Sequence, residues 1–211
     1  IKSLFLQDID ISTPNYKRNS NVSYCVRKMN VVNKIIIHHT ASFPTTSPEV
    51  INQWHIQSGT RHMVSYHYLI QGGYDSNQNS GTTLPIKIYQ GRPLNMVGAH
   101  AGSKSYVYPT SEQEKTLKNN PLMCYLNNYE VRDNSLFNDN KVKTNVTSVG
   151  IAIIGNYAPF SQRNPSGGDN KVDEDLLTEV AKLSCYLQKK YPAINQIQGH
   201  QNVAKTQCPG N

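Results

Sequence analysis

The chain has 211 residues, carries 21 Lys and Arg against 14 Asp and Glu for a formal charge of +7, and is 37% hydrophobic. That length suits one domain with a sizeable core, and no apolar run approaches the roughly 20 residues a membrane-spanning helix needs. The basic residues are scattered rather than gathered into a stripe with interleaved aromatics, which sets nucleic acid aside as a partner. A positive balance suits an acidic polymer such as a bacterial wall and simple solubility equally.

The chain opens on Ile1-Lys2-Ser3-Leu4, with neither an initiator Met nor a signal-peptide pattern, and is read as a mature or trimmed chain. Residues 1–33 are polar, rich in Asn and Ser and without a sustained period; an arm packed on the domain is expected. Lys34–His38 is β-branched and continuous, the pattern of a central strand buried on both faces. Ser47-Pro48-Glu49 supplies an N-cap, a proline at the first helical position and an acid in the first turn. The helix it starts should run to about Ser58, with Gly59 just past its end. Val50, Ile51 and Trp54 are expected on the core face of that helix, Trp54 as a packing residue rather than a sugar platform, and His55 beside it as a surface or half-buried side chain rather than a ligand.

Ser65–Gln71 reads as the next strand, with Tyr66, Tyr68 and Ile70 pointing one way and His67 and Leu69 the other. Ile86–Gln90 is a third. Gly98–Gly102 is too rich in glycine and alanine for an ordinary strand and implies backbone passing close to another group. Residues 103–144 read as a partly ordered surface insertion, with helical turns over Ser111–Lys118. Thr147–Ile154 is a second continuous apolar strand. Asp173–Lys190 is the strongest helix, with Leu176, Val180, Leu183 and Leu187 at helical spacing. Ala193–Gln198 is a short last strand leading into His200. The fold class is therefore α/β (α+β), a central mixed β-sheet flanked by helices.

His38 leaves the first central strand, while His200 and Cys208 frame a short loop closed by Pro209-Gly210. Two imidazoles and one thiolate are three protein ligands for zinc and leave a fourth position open, as in catalytic sites. Taken alone, His38-His39 also reads as a strand-end pair held by backbone hydrogen bonds, and Cys208 as a buried thiol or half a disulfide. Of the remaining cysteines, Cys25 and Cys124 are the expected pair because Cys185 lies in a helix; a buried thiol at each position is the alternative.

The segments Ile35-Ile-Ile-His-His-Thr-Ala41, Gly98-Ala-His-Ala101, Ser148-Val-Gly-Ile-Ala-Ile-Ile-Gly-Asn-Tyr157 and Gly199-His through Cys208-Pro-Gly210 occur in an order that resembles type 2 N-acetylmuramoyl-L-alanine amidases. That family includes bacteriophage lysozyme-type amidases and the animal peptidoglycan recognition proteins. The resemblance implies the amidase type 2 / peptidoglycan recognition protein fold over residues 34–211, with the 1–33 arm and the 103–144 insertion outside the matching segments. It implies zinc held by His38, His200 and Cys208. It also implies hydrolysis of the amide between N-acetylmuramic acid and L-alanine, with Tyr66 and Thr206 as catalytic residues. His39, Thr40, His67, His100 and Asn145 would bind substrate, with support of the metal ligands or a structural role the alternative for His39 and structural hydrogen bonding the equal alternative for His100.

Thr206 stands where some relatives carry a lysine, as in the catalytically active recognition proteins. Ala152 stands where other amidases place a glutamate, so no general base comes from that strand. The implied partner is peptidoglycan or its muropeptides, met outside the cell or in the periplasm by a secreted monomer. The rival implied by the same family is a recognition protein that holds muropeptide without cutting it.

Overall fold

In the computed structural model the described residues are 9–22, 24–74, 83–101, 106–107, 123–126, 129–131, 142–159 and 172–210. In chain order they form β1 (Ile11–Ser12), β2 (Tyr24–Val26), β3 (Lys34–His39), α1 (Pro48–Gln57), β4 (Tyr68–Tyr74), β5 (Thr83–Gln90), β6 (Tyr106–Val107), β7 (Met123–Leu126), β8 (Tyr129–Val131), β9 (Val142–Lys143), α2 (Thr144–Thr147), β10 (Ser148–Ile153), α3 (Glu174–Lys190) and β11 (Gln196–Gly199). The helical turns expected over Ser111–Lys118 lie outside the described residues.

A six-stranded sheet runs β1-β5-β4-β10-β3-β11. Its β4–β5 pair is antiparallel and every other pair is parallel, so the sheet is mixed as expected. β3 lies between β10 and β11, and its sequence explains why. Parallel strands covered on both faces must be apolar on both faces, and Ile35 and Ile36 are fully buried. β2, β7 and β8 form a second, antiparallel sheet. The stretch read as an arm thus supplies β1 at one edge of the main sheet and β2 in the small one. Cys25 is disulfide-bonded, Cys185 and Cys208 are free, and the β2–β7 register sets Cys124 directly across from Cys25.

Two apolar clusters sandwich the main sheet. On one face Ile35, Tyr68, Ile70, Val149, Ile151 and Ile153 pack with Leu176, Val180, Leu183 and Leu187 of α3. The α3 helix begins on Asp173, whose carboxylate accepts from the Asp175 N–H at 2.9 Å, and ends on Lys189 and Lys190, charges that suit its dipole. On the other face Ile51 of α1 packs with Met63, Val64, Leu69, Met96, Ala152 and Ile154. No helix among the described residues is long and apolar enough to cross a membrane.

Two readings change. The buried face of α1 is Pro48, Ile51 and Asn52, while Val50 and Trp54 are 39% and 50% exposed. Asn52 displaces the expected face because its amide donates to the Lys17 carbonyl at 2.9 Å and its oxygen accepts the Val64 N–H at 2.6 Å, tying the helix to two loops. Second, β4 begins at Tyr68, not Ser65. The carbonyls of Ser65, Tyr66 and His67 accept from Ala99, Arg92 and Gly91 in the following loop, so strict alternation starts only after them. Tyr66 accordingly packs with the Leu69 cluster rather than with Tyr68 and Ile70.

Candidate metal centre

Parallel strands deliver their C-terminal ends to one edge of a sheet, the usual place for a ligand. β11 pairs with β3 so that Gly199 lies opposite Ile37, which puts His200, the next residue, beside His38. Their rings are 4.5 Å apart. The 3-10 turn His200–Asn202 then brings the chain round until the Gln201 N–H bonds the Cys208 carbonyl at 2.7 Å. Cys208 thereby returns to the end of β3. Its sulfur lies 3.7 Å from His38 Nδ1 and accepts the His39 backbone N–H at 3.3 Å.

Among the described residues His38, His200 and Cys208 form a group that can hold a metal ion, with one ligand atom from each lying within 4.8 Å of the others. The donor chemistry fits. His200 uses one ring nitrogen on the Ala101 carbonyl, and its buried Nε2 has no partner in the protein. Burial, reinforced by His100, His200 and His39, holds His38 well below the usual 6.5, so its imidazole is neutral and keeps a lone pair. Burial pushes the Cys208 thiol up to about 11, opposed by the His39 N–H, so a thiolate there needs a cation. A buried, orphaned imidazole nitrogen facing a buried thiol and a second neutral imidazole is an arrangement a soft divalent ion completes.

Residues 28–211 match the sequence profile of the family described as N-acetylmuramoyl-L-alanine amidase. The chain belongs to that family. A comparison with curated protein sequences finds no match. Among solved structures, this amidase-family chain is similar to the endolysin N-acetylmuramoyl-L-alanine amidase LysCS from Clostridium intestinale URNW. The two share 24% identity over 97% of this chain and 90% of that one, with a TM-score of 0.58. It is similar to Drosophila peptidoglycan recognition protein SD at 18% identity, covering 96% and 89% of the two chains, TM-score 0.53. It is also similar to the ectodomain complex of peptidoglycan recognition proteins LCa and LCx with tracheal cytotoxin bound. There the identity is 17%, the coverage 88% and 80%, and the TM-score 0.52. At these identities the likeness is one of fold, the amidase and peptidoglycan recognition protein fold.

The other residues singled out in this amidase-family sequence fall into two groups. Tyr66 and Thr206 flank the donor set. The Tyr66 ring lies 5.3 Å from that of His38, and burial followed by Cys208 raises its phenol above the ordinary range, leaving it an O–H donor at neutral pH. Thr206 is exposed, and its hydroxyl oxygen accepts the Cys208 N–H at 3.2 Å. His39, Thr40, His67, His100 and Asn145 make bonds within the protein. His39 Nδ1 accepts the Tyr157 N–H at 2.9 Å, and burial lowers that imidazole to about 4. The Thr40 hydroxyl oxygen accepts the Gly155 N–H at 3.1 Å, just before Ala41 turns the chain at a φ of 53°.

His67 is 0% exposed; its Nδ1 accepts the Gly150 N–H at 3.0 Å and its Nε2 donates to the Met96 carbonyl at 2.9 Å. His100 reaches His38, with Nδ1 at 2.9 Å from Nε2, and Asn145 Oδ1 accepts the N–H groups of His100 and Ala101.

Sequence reading passed over Arg27. It is buried, with its guanidinium bonded to the carbonyls of Leu94, Asn145 and Val146. Its charge adds to the forces keeping His67 and His100 neutral. No local pattern distinguishes it from a surface arginine.

Proposed function

We propose that the chain is a zinc-dependent N-acetylmuramoyl-L-alanine amidase of peptidoglycan, working outside the cytoplasm. The observation that carries this reading is the convergence of His38, His200 and Cys208 donors beside Tyr66 in a chain of this family. Peptidoglycan as the substrate class is supported by the family description and by the peptidoglycan recognition proteins that share the fold, one of them solved with tracheal cytotoxin.

Zinc, when bound, supplies a Lewis acid and a nucleophile at neutral pH. The chain's own residues do the rest. His38 and His200 hold neutral imidazole lone pairs toward the centre. Cys208 contributes the negative charge, steadied by the His39 N–H. Tyr66 keeps its proton and donates it as a hydrogen bond to the oxygen of the scissile carbonyl as charge develops there. Thr206 holds the Cys208 peptide through its oxygen, which leaves its hydroxyl hydrogen free for the substrate.

Zinc-loaded protein incubated with purified peptidoglycan should release stem peptides that begin with L-alanine, detected by mass spectrometry. Muropeptide held without release would make the chain a binding protein and end the enzymatic reading. Tyr66→Phe should retain zinc content and lower kcat by about 10²-fold, the usual cost of losing one oxyanion donor. An unchanged kcat would take Tyr66 out of the reaction.

A further inference from the structure

The donor set explains His38, His200 and Cys208 but leaves a buried histidine to account for. His100 is 6% exposed and lies behind His38, away from the sulfur. Its ring enters the sheet because glycine lines both sides. A Cβ on Gly150 would sit 2.5 Å from two of the ring carbons, and one on Gly98 would sit 2.4 Å from Cδ2. β10 shows the same accommodation along its length. Its outer alternate positions, Val149, Ile151 and Ile153, are bulky and face α3, while Ser148, Gly150 and Ala152 are small on the face that receives His100.

The bonds of His100 have one consistent set of directions. The Ser148 hydroxyl donates to the Thr144 carbonyl at 2.6 Å, so its oxygen, 3.4 Å from His100 Nε2, is left to accept. His100 therefore carries its proton on Nε2 and offers the Nδ1 lone pair to His38. His38 must then place its own proton on Nε2, at 2.9 Å from His100 Nδ1. Its Nδ1, the atom 3.7 Å from the Cys208 sulfur, is left bare. Asn145 Oδ1 clamps the backbone that carries His100 by accepting the His100 and Ala101 N–H groups at 3.0 and 2.9 Å.

We propose that His100 is a positioning residue that locks His38 in the tautomer presenting Nδ1 to the metal, through the buried chain His38–His100–Ser148–Thr144. This rests on the metal-site reading above. An outer partner of this kind orients a ligand and sharpens its basicity, and its loss commonly weakens metal binding 10- to 100-fold.

The test is the zinc affinity of metal-free protein, measured by competition with a chromophoric chelator. His100→Leu keeps bulk but offers no acceptor. His100→Asn loses bulk but keeps an oxygen near the position of Nδ1. The proposal expects the Leu variant to bind zinc about 10- to 100-fold more weakly and the Asn variant to recover most of that loss. A packing role expects the reverse order, and that order, or a Leu variant equal to wild type, would overturn the proposal. Should the Leu variant fail to fold, 15N imidazole spectra of the metal-free wild type decide. A proton on His38 Nε2 supports the lock, and one on Nδ1 overturns it. A wild type that binds no zinc but shows the Nε2 proton would leave the tautomer lock standing and sink the metal reading instead.

Discussion

Cys208→Ala is expected to weaken zinc binding on the order of 10³-fold and to abolish amide hydrolysis. Cys208 is the only donor of the three that can bring negative charge, and its surroundings prepare it for that. Cys208 is 8% exposed, and its sulfur faces His38 Nδ1 at 3.7 Å and receives the His39 N–H at 3.3 Å. Zinc sites built from such ligands bind with about 10–16 kcal/mol. One donor's share is about 4 kcal/mol, which converts to about a thousandfold. A second readout separates lost charge from lost shape. Without metal the thiol is held up at about 11, while His38 and His200 are already neutral near pH 7. Zinc uptake should therefore release the Cys208 proton in addition to any lost from zinc-bound water. Calorimetry in buffers of different ionisation enthalpy should find about one more proton released per zinc in the wild type than in the variant, since any proton lost from zinc-bound water is common to both. Equal proton release, or equal affinity, would remove Cys208 from the donor set.

The parts of the fold that sequence reading anticipated are those whose signal is local. The isoleucine run of β3, the Ser47-Pro48-Glu49 start of α1 and the leucine spacing of α3 each state an element within a few residues of its bounds. The failures are tertiary. Trp54 was expected inward because Val50, Ile51 and Trp54 make an apolar stripe, but the stripe cannot reveal that two loops claim Asn52 as their anchor. Ser65–Tyr66 looked like strand because β-propensity does not show that the following loop takes their carbonyls.

The donor trio is separated by most of the chain, so residue types and the His200–Cys208 loop could suggest it. The resemblance of its flanking motifs gave that reading its weight over a strand-end pair and a buried thiol. The layer behind the trio was partly written in the sequence. Ser148, Gly150 and Ala152 alternate with Val149, Ile151 and Ile153, a small-large period that announces something lodged against one face of the strand. Gly98 beside His100 carries the same message. The close approach at Gly98–Gly102 was expected from the sequence, while the β10 alternation was read only as a strand, and neither says which ring fills the space.

Metal-free protein is expected to lose about 3 kcal/mol or more of stability between pH 6.5 and 5.5. His38, His67 and His100 are buried, and in each the burial that excludes water holds the imidazole well below 6.5. Unfolding returns each to the ordinary value near 6.5. Below that value the unfolded chain binds protons that the folded chain refuses, so acid favours unfolding. The histidine contribution is therefore complete above pH 6.5 and is lost as pH falls toward the folded values. Over the one unit from 6.5 to 5.5 each fully neutral histidine costs about 1 kcal/mol, and three cost about 3. His39 and His55, both lowered to about 4 chiefly by burial, act in the same direction.

Against a total of about 5–15 kcal/mol for a typical domain, that is a large share. The carboxylates cannot mimic it, since their ordinary values near 4 keep them ionised through this window. Urea unfolding of chelator-treated protein at pH 7.5, 6.5 and 5.5 reads the effect. The midpoint should fall slightly over the first interval, by about 1 kcal/mol in all, and about three times as steeply over the second. A midpoint unchanged from 6.5 to 5.5 would mean that the buried imidazoles take up protons in the folded state. The neutral His38 on which the metal centre depends would then be lost.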